Sequence, residues 1–513
     1  MLRLARLLAV LAFVGCKSVQ TTERATVARV DAPTLDKRSP FLKAHLRDGH
    51  VLILSAWSID TSRSLVAGTG SRLDVNRQPA VGSPVGTQAI ALDSVALFET
   101  NVVKPHPSIA AMAVITGASV ALTAYCAMNT KACFGSCPTF YVSDGEHDVL
   151  QAEGFSASVA PSLEATDIDA LYRARPTSRT LTIRMTNEAL ETHVVRWATV
   201  LAAPRPTGGR VFATQSGEFW QASEVAAPVR CTAAEGDCLA SVRAADGVER
   251  YSRTDSTDLA ARETIELEFP AMADGPTGVV LASRQTLLST FVLYQGLAYM
   301  GRSAGRWLAA LQRGDAQTRR QMSGVGRVLG AIEVQVPDSG GGWVTVGETQ
   351  ETGPLATDLR VVPLPRAVGA PRRVRLRLTR GHWRIDGVTL ARLTGRVEPV
   401  RIEPREVRRR GKADAEALAL LTDPSRSLTT MPGDEYTLVY RLPEHPERYE
   451  LFLESRGYYL EWMREEWMAE ENPTRAAMLL LDPAGAMKLL APEFKRREAE
   501  METAFWGSRY VRR

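Results

Sequence analysis

Short segments in which apolar and polar residues alternate recur along most of the chain. Three clear examples are residues 180–185, 265–269 and 374–378. A period of two is typical of strands with one buried face, and turn-forming residues such as Asp48 and Gly49 separate these segments. Among the 513 residues, 45% are hydrophobic and 23% are charged, which excludes a disordered chain or a membrane protein with many spans. The sequence therefore predicts a mainly β, multidomain protein.

The pattern changes along the chain, and the changes suggest domain boundaries. The expected segments are a signal peptide (1–15), a flexible tether (16–40), a small β-barrel-like domain (41–104), an apolar segment (105–130), a β-sandwich region (131–275), a helical pair (276–324), a jelly-roll-like β domain (325–403), a basic linker with a β segment (404–447) and a helical C-terminal region (448–513). Residues 108–128 carry no charge. They fit either a membrane helix or a helix buried between domains.

The N-terminus has the pattern of a secretion signal. Arg3 and Arg6 precede an uncharged apolar run over residues 7–14, which ends at Gly15 and Cys16. The ending Phe-Val-Gly-Cys resembles the bacterial lipobox, which implies that Cys16 is lipidated and anchors the mature chain to a membrane. The alternative is an ordinary cleaved signal. By resemblance to sorted lipoproteins, Lys17 favours the outer membrane, so we expect a lipid-anchored protein on its periplasmic or surface face.

Charge and motif content exclude several classes of partner. The chain has 62 basic and 58 acidic residues, for a net charge of +4. This balance argues against a nucleic-acid partner. The sequence contains no glycine loop that would cradle a phosphate, no dinucleotide fingerprint and no cysteine or histidine set with zinc spacing. We therefore expect no cofactor and no metal.

Four cysteines are candidates for disulfides in an oxidising envelope compartment. Cys231 and Cys238 frame a short loop, and Cys133 and Cys137 frame another. A redox role for the second pair is the alternative interpretation, although catalytic dithiols have two intervening residues and this pair has three.

Two short motifs could carry catalysis. Ser303 lies in a Gly-x-Ser-x-Gly sequence, which is the pattern of a nucleophile elbow. Because its surroundings are typical of helices, Ser303 also fits the N-cap of a helix. Glu188, Glu191 and His193 lie within seven residues and could bind a metal or transfer protons, but a turn between strands would contain the same residues.

The C-terminal region is rich in aromatic residues. We expect its rings either to pack this region onto the preceding domain or to form an exposed face for a protein partner. The candidates for such a face are Tyr458, Tyr459, Trp462 and Trp467.

Four motifs resemble those of a family of uncharacterised bacterial envelope lipoproteins. They are CFGSCPTFY from Cys133, NEALETH from Asn187, GHWRID from Gly381 and LFLESRGYYLEWMREEW from Leu451. The resemblance implies a secreted, membrane-associated protein and no particular activity. Residues 374–393 also resemble a galactose-binding-like jelly roll. We therefore expect an envelope lipoprotein that binds a protein partner or an envelope glycan, and the alternative is a secreted serine hydrolase that uses Ser303.

Overall fold

The computed structural model describes residues 20–507, apart from 38, 40, 48–49, 74–84, 106–136, 188–190, 351–352, 432 and 462–469. The described residues fall into two units. The first unit contains residues 20–105, and the second contains the described residues from 137 onward. The predicted mainly β, multidomain class is confirmed.

The first unit is a six-stranded antiparallel sheet. Its strands are β1 (Gln20–Ala28), β2 (Phe41–Leu46), β3 (Val51–Asp60), β4 (Leu65–Leu73), β5 (Gly86–Ala91) and β6 (Val95–Pro105). They lie in the order β1-β6-β2-β3-β4-β5. The two end strands, β1 and β5, do not pair with each other within the described residues, so the segment predicted to be a small β-barrel-like domain contributes β2 to β6 to an open sheet. Leu42, Leu54 and Phe98 are fully buried in its core.

Strand β1 falls inside the segment predicted to be a flexible tether. It pairs with β6 along its full length, from Gln20 opposite Pro105 to Ala28 opposite Leu97. The tether prediction is therefore wrong from Gln20 onward. Polar composition was the basis for that prediction, but β-branched threonine and valine also suit an edge strand.

One buried carboxylate of the first unit is held by two basic side chains. The Oε2 atom of Glu99 lies 2.7 Å from Nζ of Lys43 and 2.7 Å from Nε2 of His45. Burial alone would raise the pKa of Glu99, but these two neighbours outweigh burial and lower it well below the usual value.

The second unit contains the remaining strands. The first group is β7 (Thr139–Ser143), β8 (Asp148–Glu153), β9 (Ala165–Ala170), β10 (Thr180–Thr186) and β11 (Glu191–Pro204). The middle group is β12 (Arg210–Ala213), β13 (Phe219–Ala226), β14 (Arg230–Ala233), β15 (Gly236–Asp237), β16 (Arg250–Tyr251), β17 (Arg262–Glu268), β18 (Thr277–Gln285), β19 (Ile332–Pro337), β20 (Trp343–Thr349), β21 (Asp358–Pro363), β22 (Arg373–Thr379) and β23 (Trp383–Arg396). The last group is β24 (Val400–Ile402), β25 (Glu406–Arg409), β26 (Lys412–Ala413), β27 (Leu428–Thr430), β28 (Glu435–Arg441) and β29 (Tyr449–Glu461).

The first and last groups together form one β-sandwich, which we call the outer sandwich. Its sheets have the orders β26-β25-β28-β10-β7-β8 and β24-β11-β29-β9, and β27 also pairs with β11. Ile183 and Leu438 of one sheet share a core with Val200 and Leu453 of the other. Residues 404–447, predicted to be a linker with a β segment, thus supply strands and a helix to this sandwich.

The middle group forms a second sandwich, which we call the inserted sandwich. Its sheets have the orders β13-β12-β21-β18-β23-β16 and β15-β14-β17-β22-β19-β20. Leu267 and Leu376 pack against Leu281 and Val388 across its core. Strand β17 pairs with β22 and β18 pairs with β23. The segments predicted as separate domains at 131–275 and 325–403 therefore share this sandwich, and the jelly-roll-like segment does not fold as a domain of its own.

Helices connect and cover the sandwiches. They are α1 (Leu239–Val242), α2 (Leu288–Met300), α3 (Ala304–Gln312), α4 (Ala316–Leu329), α5 (Ala415–Thr422), α6 (Pro473–Leu481) and α7 (Pro483–Gly507). The predicted central helical pair is confirmed as α2 and α3. Asp315 caps α4 by accepting a hydrogen bond of 2.8 Å from the backbone nitrogen of Thr318. Asn472 caps α6 similarly, and Pro473 follows at the first helical position.

The helical region predicted from residue 448 begins instead with a long strand. Strand β29 lies between β11 and β9, and both of its faces are covered. Leu451 and Leu453 face the core of the outer sandwich, whereas Phe452 packs on the other side against Phe219. A strand that is buried on both faces lacks the period of two, so the local pattern does not identify it as a strand.

No helix in the described ranges is both long and apolar enough to cross a membrane. The apolar segment at 108–128 lies outside those ranges, so both interpretations of it stay predictions.

Candidate functional site

The start of β11 holds the acid and the imidazole that the sequence singled out. Glu191 and His193 are two residues apart, so their side chains lie on the same face of the strand, and both are buried. The Nε2 atom of His193 lies 3.3 Å from Oε2 of Glu191. Glu188 lies outside the described residues.

Strand β29 places two further polar side chains beside this pair. Glu461 lies directly opposite Glu191, and Tyr459 lies directly opposite His193. Opposed residues of antiparallel strands have their Cβ atoms about 4.5–5.5 Å apart. The rings of His193 and Tyr459 meet edge to face, with centroids 6.5 Å apart. The two strands therefore bring two carboxylates together on one face of the sheet.

Two tyrosine hydroxyls complete the group. Tyr294 of α2 donates a hydrogen bond of 2.7 Å to Oε1 of Glu461. Tyr459 donates one of 3.1 Å to the backbone oxygen of Ser156. Burial raises the pKa of Tyr459 well above its usual value, and the nearby carboxylates add to the shift, so this residue is a neutral donor. We call the group the cavity cluster: Glu191, Tyr294, Tyr459 and Glu461.

The cavity cluster lines a cavity of about 640 Å³. Helices α2, α3, α4 and α6 supply much of the remaining wall. The apolar side chains on it include Val159, Val292, Leu297, Met300, Trp307, Met322 and Leu479. A mostly apolar wall with a few converging polar groups is typical of a small-molecule site.

A second line of polar side chains reaches the same cavity. Ser289 donates a hydrogen bond of 3.2 Å to Oε1 of Gln285, and the amide nitrogen of Gln285 lies 3.3 Å from Nε2 of His382. Burial, with help from Arg262, lowers the pKa of His382 to about 3. The imidazole is therefore neutral. Its Nδ1 atom is buried and has no hydrogen-bond partner among the described atoms.

A third carboxylate lines the cavity from the end of β8. Glu153 is buried, and its Oε2 atom accepts a hydrogen bond of 2.6 Å from the backbone nitrogen of Leu355. Gly353 adopts φ of +83°, and a Cβ atom at this position would lie 2.5 Å from the same oxygen. The glycine therefore allows the backbone to pass close to Glu153.

Ser303 does not lie on a nucleophile elbow. Residues Gly301–Ser303 form a short 3-10 turn between α2 and α3, whereas an elbow requires a strand before the turn. The hydroxyl of Ser303 donates a hydrogen bond of 2.8 Å to the backbone oxygen of Met300. It occupies the N-cap position of α3 but makes no capping hydrogen bond with its side chain.

The disulfide predicted between Cys231 and Cys238 is confirmed, with Cα atoms 5.1 Å apart. Cys137 is buried and lines the cavity. Cys16 and Cys133 lie outside the described residues, so lipidation of the first and pairing of the second stay predictions.

Two of the aromatic residues predicted to bind a partner are buried in β29. Tyr458 is 3% exposed and Tyr459 is 6% exposed, so neither contributes to an exposed face of this unit. Both rings instead fix the strand in place, which was the other interpretation of the sequence. Trp462 and Trp467 lie outside the described residues.

Neither a metal site nor a related protein identifies a function for the cavity. In the described part of the chain, no group of three histidine, cysteine, aspartate or glutamate side chains is arranged to hold a metal ion. No protein-family model matches the chain, and no curated protein matches its sequence. The resemblance to envelope lipoproteins therefore stays a prediction.

Sequence reasoning found Glu191 and His193 but missed most of the residues around them. Tyr294 and Gln285 lie in no motif, whereas His382 and Glu461 lie in the motifs from Gly381 and Leu451, which carry a family resemblance and no residue role. Of these residues, only Glu461 could have been placed from the sequence. If its segment is taken as a strand, Glu461 lies on the same face as Tyr459, two residues earlier.

Proposed function

We propose that the protein is a lipid-anchored bacterial envelope protein that binds an envelope glycan fragment in the cavity. The signal pattern that ends at Cys16 supports export and attachment to a membrane, with the outer membrane favoured. The bridge between Cys231 and Cys238 is consistent with an oxidising compartment.

The cavity is the observation that carries this proposal. Its volume of about 640 Å³ lies within the range of about 300–1,000 Å³ for small-molecule sites. A few linked sugar units fit such a volume, whereas a folded protein cannot enter it. Carboxylates, hydroxyls and amides on the wall suit the hydroxyl groups of a sugar, and Trp307 and the aliphatic side chains suit its C–H faces.

The other functions expected from the sequence have less support. Burial of Tyr458 and Tyr459 removes half of the aromatic residues that suggested a protein partner. Ser303 does not line the cavity and lies between helices, so a serine hydrolase has no catalytic geometry behind it among the described residues.

Blocking the cavity tests the proposal. Thr290 is a half-buried lining residue on α2, and Thr290→Trp adds an indole to the cavity. Gln317→Trp is the matched control, because Gln317 is exposed on α4 and does not line the cavity. The probe is a mixture of muropeptides that a muramidase releases from bacterial cell walls. Binding to the full-length chain in detergent is measured by calorimetry on fractions of the mixture.

We expect at least one fraction to bind, Thr290→Trp to weaken this binding by about tenfold or more, and Gln317→Trp to leave it unchanged. The proposal is wrong if no fraction binds, or if both tryptophan variants bind as tightly as the unmodified chain.

A further inference from the structure

The wall of the cavity carries large apolar side chains that are only partly covered. Leu163, Leu293, Trp307 and Met322 all line the cavity, and all four are half-buried. They come from a short 3-10 turn before β9 and from α2, α3 and α4, and they pack around one shared core. We call these four residues the apolar patch. Large apolar side chains that converge in this way, and are not scattered singly over a surface, are typical of a contact site for an apolar group.

Helix α2 extends the apolar patch along the cavity. Residues 288–300 of this helix contain no charged residue, and a helix that is apolar all round is normally enclosed by other apolar groups. On one face, the ring of Phe291 packs against that of Phe494 in α7, with centroids 4.9 Å apart. The opposite face carries Val292, Leu297 and Met300, which line the cavity. An apolar ligand group in the cavity would enclose this second face.

The polar part of the wall begins next to the apolar patch. Tyr459 of the cavity cluster belongs to the core around which the apolar patch packs. Tyr294, which donates its hydrogen bond to Glu461, directly follows Leu293 on α2. One continuous cavity therefore offers polar groups in one part and apolar groups in the next.

A saccharide alone matches only the polar part. Sugar hydroxyls that face aliphatic side chains lose hydrogen bonds to water without gaining others, which weakens binding. A hydrocarbon chain carries no such groups, and it displaces the poorly ordered water that lies against an apolar wall. The two-part wall therefore fits a ligand with a polar end and an aliphatic end.

We propose that the ligand is a glycan fragment with an attached aliphatic chain, whose sugar binds beside the cavity cluster and whose chain lies along the apolar patch. This inference rests on the proposed function and narrows it to the saccharides of glycolipids. The sugar and the chain share the cavity volume of about 640 Å³, so the sugar part is short. A lipid anchor on Cys16 would keep the protein at a membrane, where molecules of this class occur.

Two glycosides with the same sugar test the inference. They are the methyl and the octyl glycoside of the N-acetylglucosamine dimer, and both are used below the concentration at which the octyl form makes micelles. The full-length chain is held in an amphipol, so that no detergent chain competes for the cavity, and binding is measured by calorimetry. Each buried methylene group strengthens binding by about fourfold. With about half of the octyl chain buried, we expect the octyl form to bind about a hundredfold more tightly than the methyl form.

Two glutamine variants then assign the preference for the octyl form to the apolar patch. Met322→Gln keeps the length of the side chain and places an amide in the patch, so the preference should fall to about tenfold or less. Met478→Gln is the matched control, because Met478 is also half-buried on a helix, α6, but does not line the cavity. It should keep the full preference.

Each other outcome overturns a different statement. Equal binding of the two glycosides, or an octyl preference that Met322→Gln does not reduce, overturns the placement of an aliphatic chain and leaves glycan binding in place. Octanoate binding as tightly as the octyl glycoside overturns the saccharide part and identifies a fatty-acid site. Failure of both glycosides while muropeptides bind overturns the inference alone. Failure of the glycosides and the muropeptides overturns the proposed function as well.

Discussion

Two buried acidic clusters in the second unit differ in what their carboxylates contact. In one, the guanidinium group of Arg360 contacts Asp167, at 3.0 Å from Nη2 to Oδ1, and also contacts Asp358 through Nε. None of these side chains lines the cavity. In the cavity cluster, Glu191 and Glu461 instead lie next to open volume, and a tyrosine hydroxyl holds Glu461. We call the first arrangement the closed cluster, and the second lines the cavity.

The position of each cluster explains this difference. Asp167 belongs to β9 of the outer sandwich, whereas Asp358 and Arg360 belong to β21 of the inserted sandwich. Asp358 also accepts a hydrogen bond of 3.0 Å from the backbone nitrogen of Ala170. This cluster therefore links the two sandwiches. Glu191 and Glu461 lie on neighbouring strands that already pair along their length, so the fold depends much less on them.

The largest expected effect is on the closed cluster. Arg360→Met removes the cation and leaves buried aspartates without it. We expect the free energy of unfolding of the second unit to fall by about 4 kcal/mol, measured by urea denaturation.

The matched control is Arg373→Met on an exposed face of the inserted sandwich. The side chain of Arg373 is 53% exposed and pairs with Glu266. This variant should change the free energy of unfolding by no more than about 0.5 kcal/mol. Similar losses in both variants would contradict a stabilising role of the Arg360 cluster.

The second effect tests the side of the cavity that Glu153 lines. Gly353→Ala places a methyl group against Glu153 at a positive φ, and we expect a loss of about 1–3 kcal/mol in unfolding free energy. Gly369→Ala meets nothing within 4 Å at φ of +64°, so it reports the backbone strain alone. The gap between the two variants measures the contact with Glu153. Equal losses would mean that the carboxylate moves aside freely.

The third effect concerns Asp169, a buried acid close to Asp167 and Asp358. The single positive charge of Arg360 does not neutralise all three carboxylates. Burial raises the pKa of Asp169 well above the usual value, and the charges of Asp167 and Asp358 raise it further. The folded state therefore keeps this proton at pH values where the unfolded chain has lost it. Its contribution to stability is fully present below the unfolded pKa of about 3.9 and is lost as the pH rises through the folded pKa.

Asp169→Asn mimics the protonated acid at every pH. We expect its unfolding free energy to lie within about 1 kcal/mol of the unmodified chain at about pH 4 and to rise relative to it towards about pH 7. Urea denaturation at several pH values measures the difference. Asp274→Asn changes an exposed side chain and should not alter the pH dependence. Parallel curves for Asp169→Asn and the unmodified chain would contradict a retained proton.

The strands differ in how far they could be predicted from the sequence. Thr180–Thr186 and Arg262–Glu268 alternate clearly because each has one face on a core, so the β class followed from local pattern. The nesting of one sandwich within the other could not be predicted in this way. Strand β10 pairs with β28, and the whole inserted sandwich lies between these two strands in the sequence. Pairing over such a distance leaves no local trace in one sequence.

The site was predictable only in part for a related reason. Glu191 and His193 are close in sequence, so their spacing was visible. Glu461 falls in the segment predicted to be helical, because Leu460, Met463 and Trp467 recur at helical spacing in the sequence. Tyr294 and His382 reach the cavity through tertiary packing alone.

The smallest expected effect on stability concerns Tyr294. It distinguishes the two clusters, because only the cavity cluster is proposed to bind a ligand. Tyr294→Phe keeps the ring and removes the hydroxyl that holds Glu461, so we expect a loss of about 1 kcal/mol in unfolding free energy. Tyr251→Phe is a matched control, because Tyr251 donates a hydrogen bond of 2.9 Å to Glu498 away from the cavity. It should cost a similar amount.

Only Tyr294→Phe should change ligand binding. Without the Tyr294 hydroxyl, Glu461 is held less firmly, so the affinity for the muropeptide fraction that binds the cavity should fall about three- to tenfold. Calorimetry on both variants compares them directly. If both tyrosine variants kept full affinity, Glu461 would need no positioning for a ligand, and the cavity cluster would be structural in the way the Arg360 cluster is.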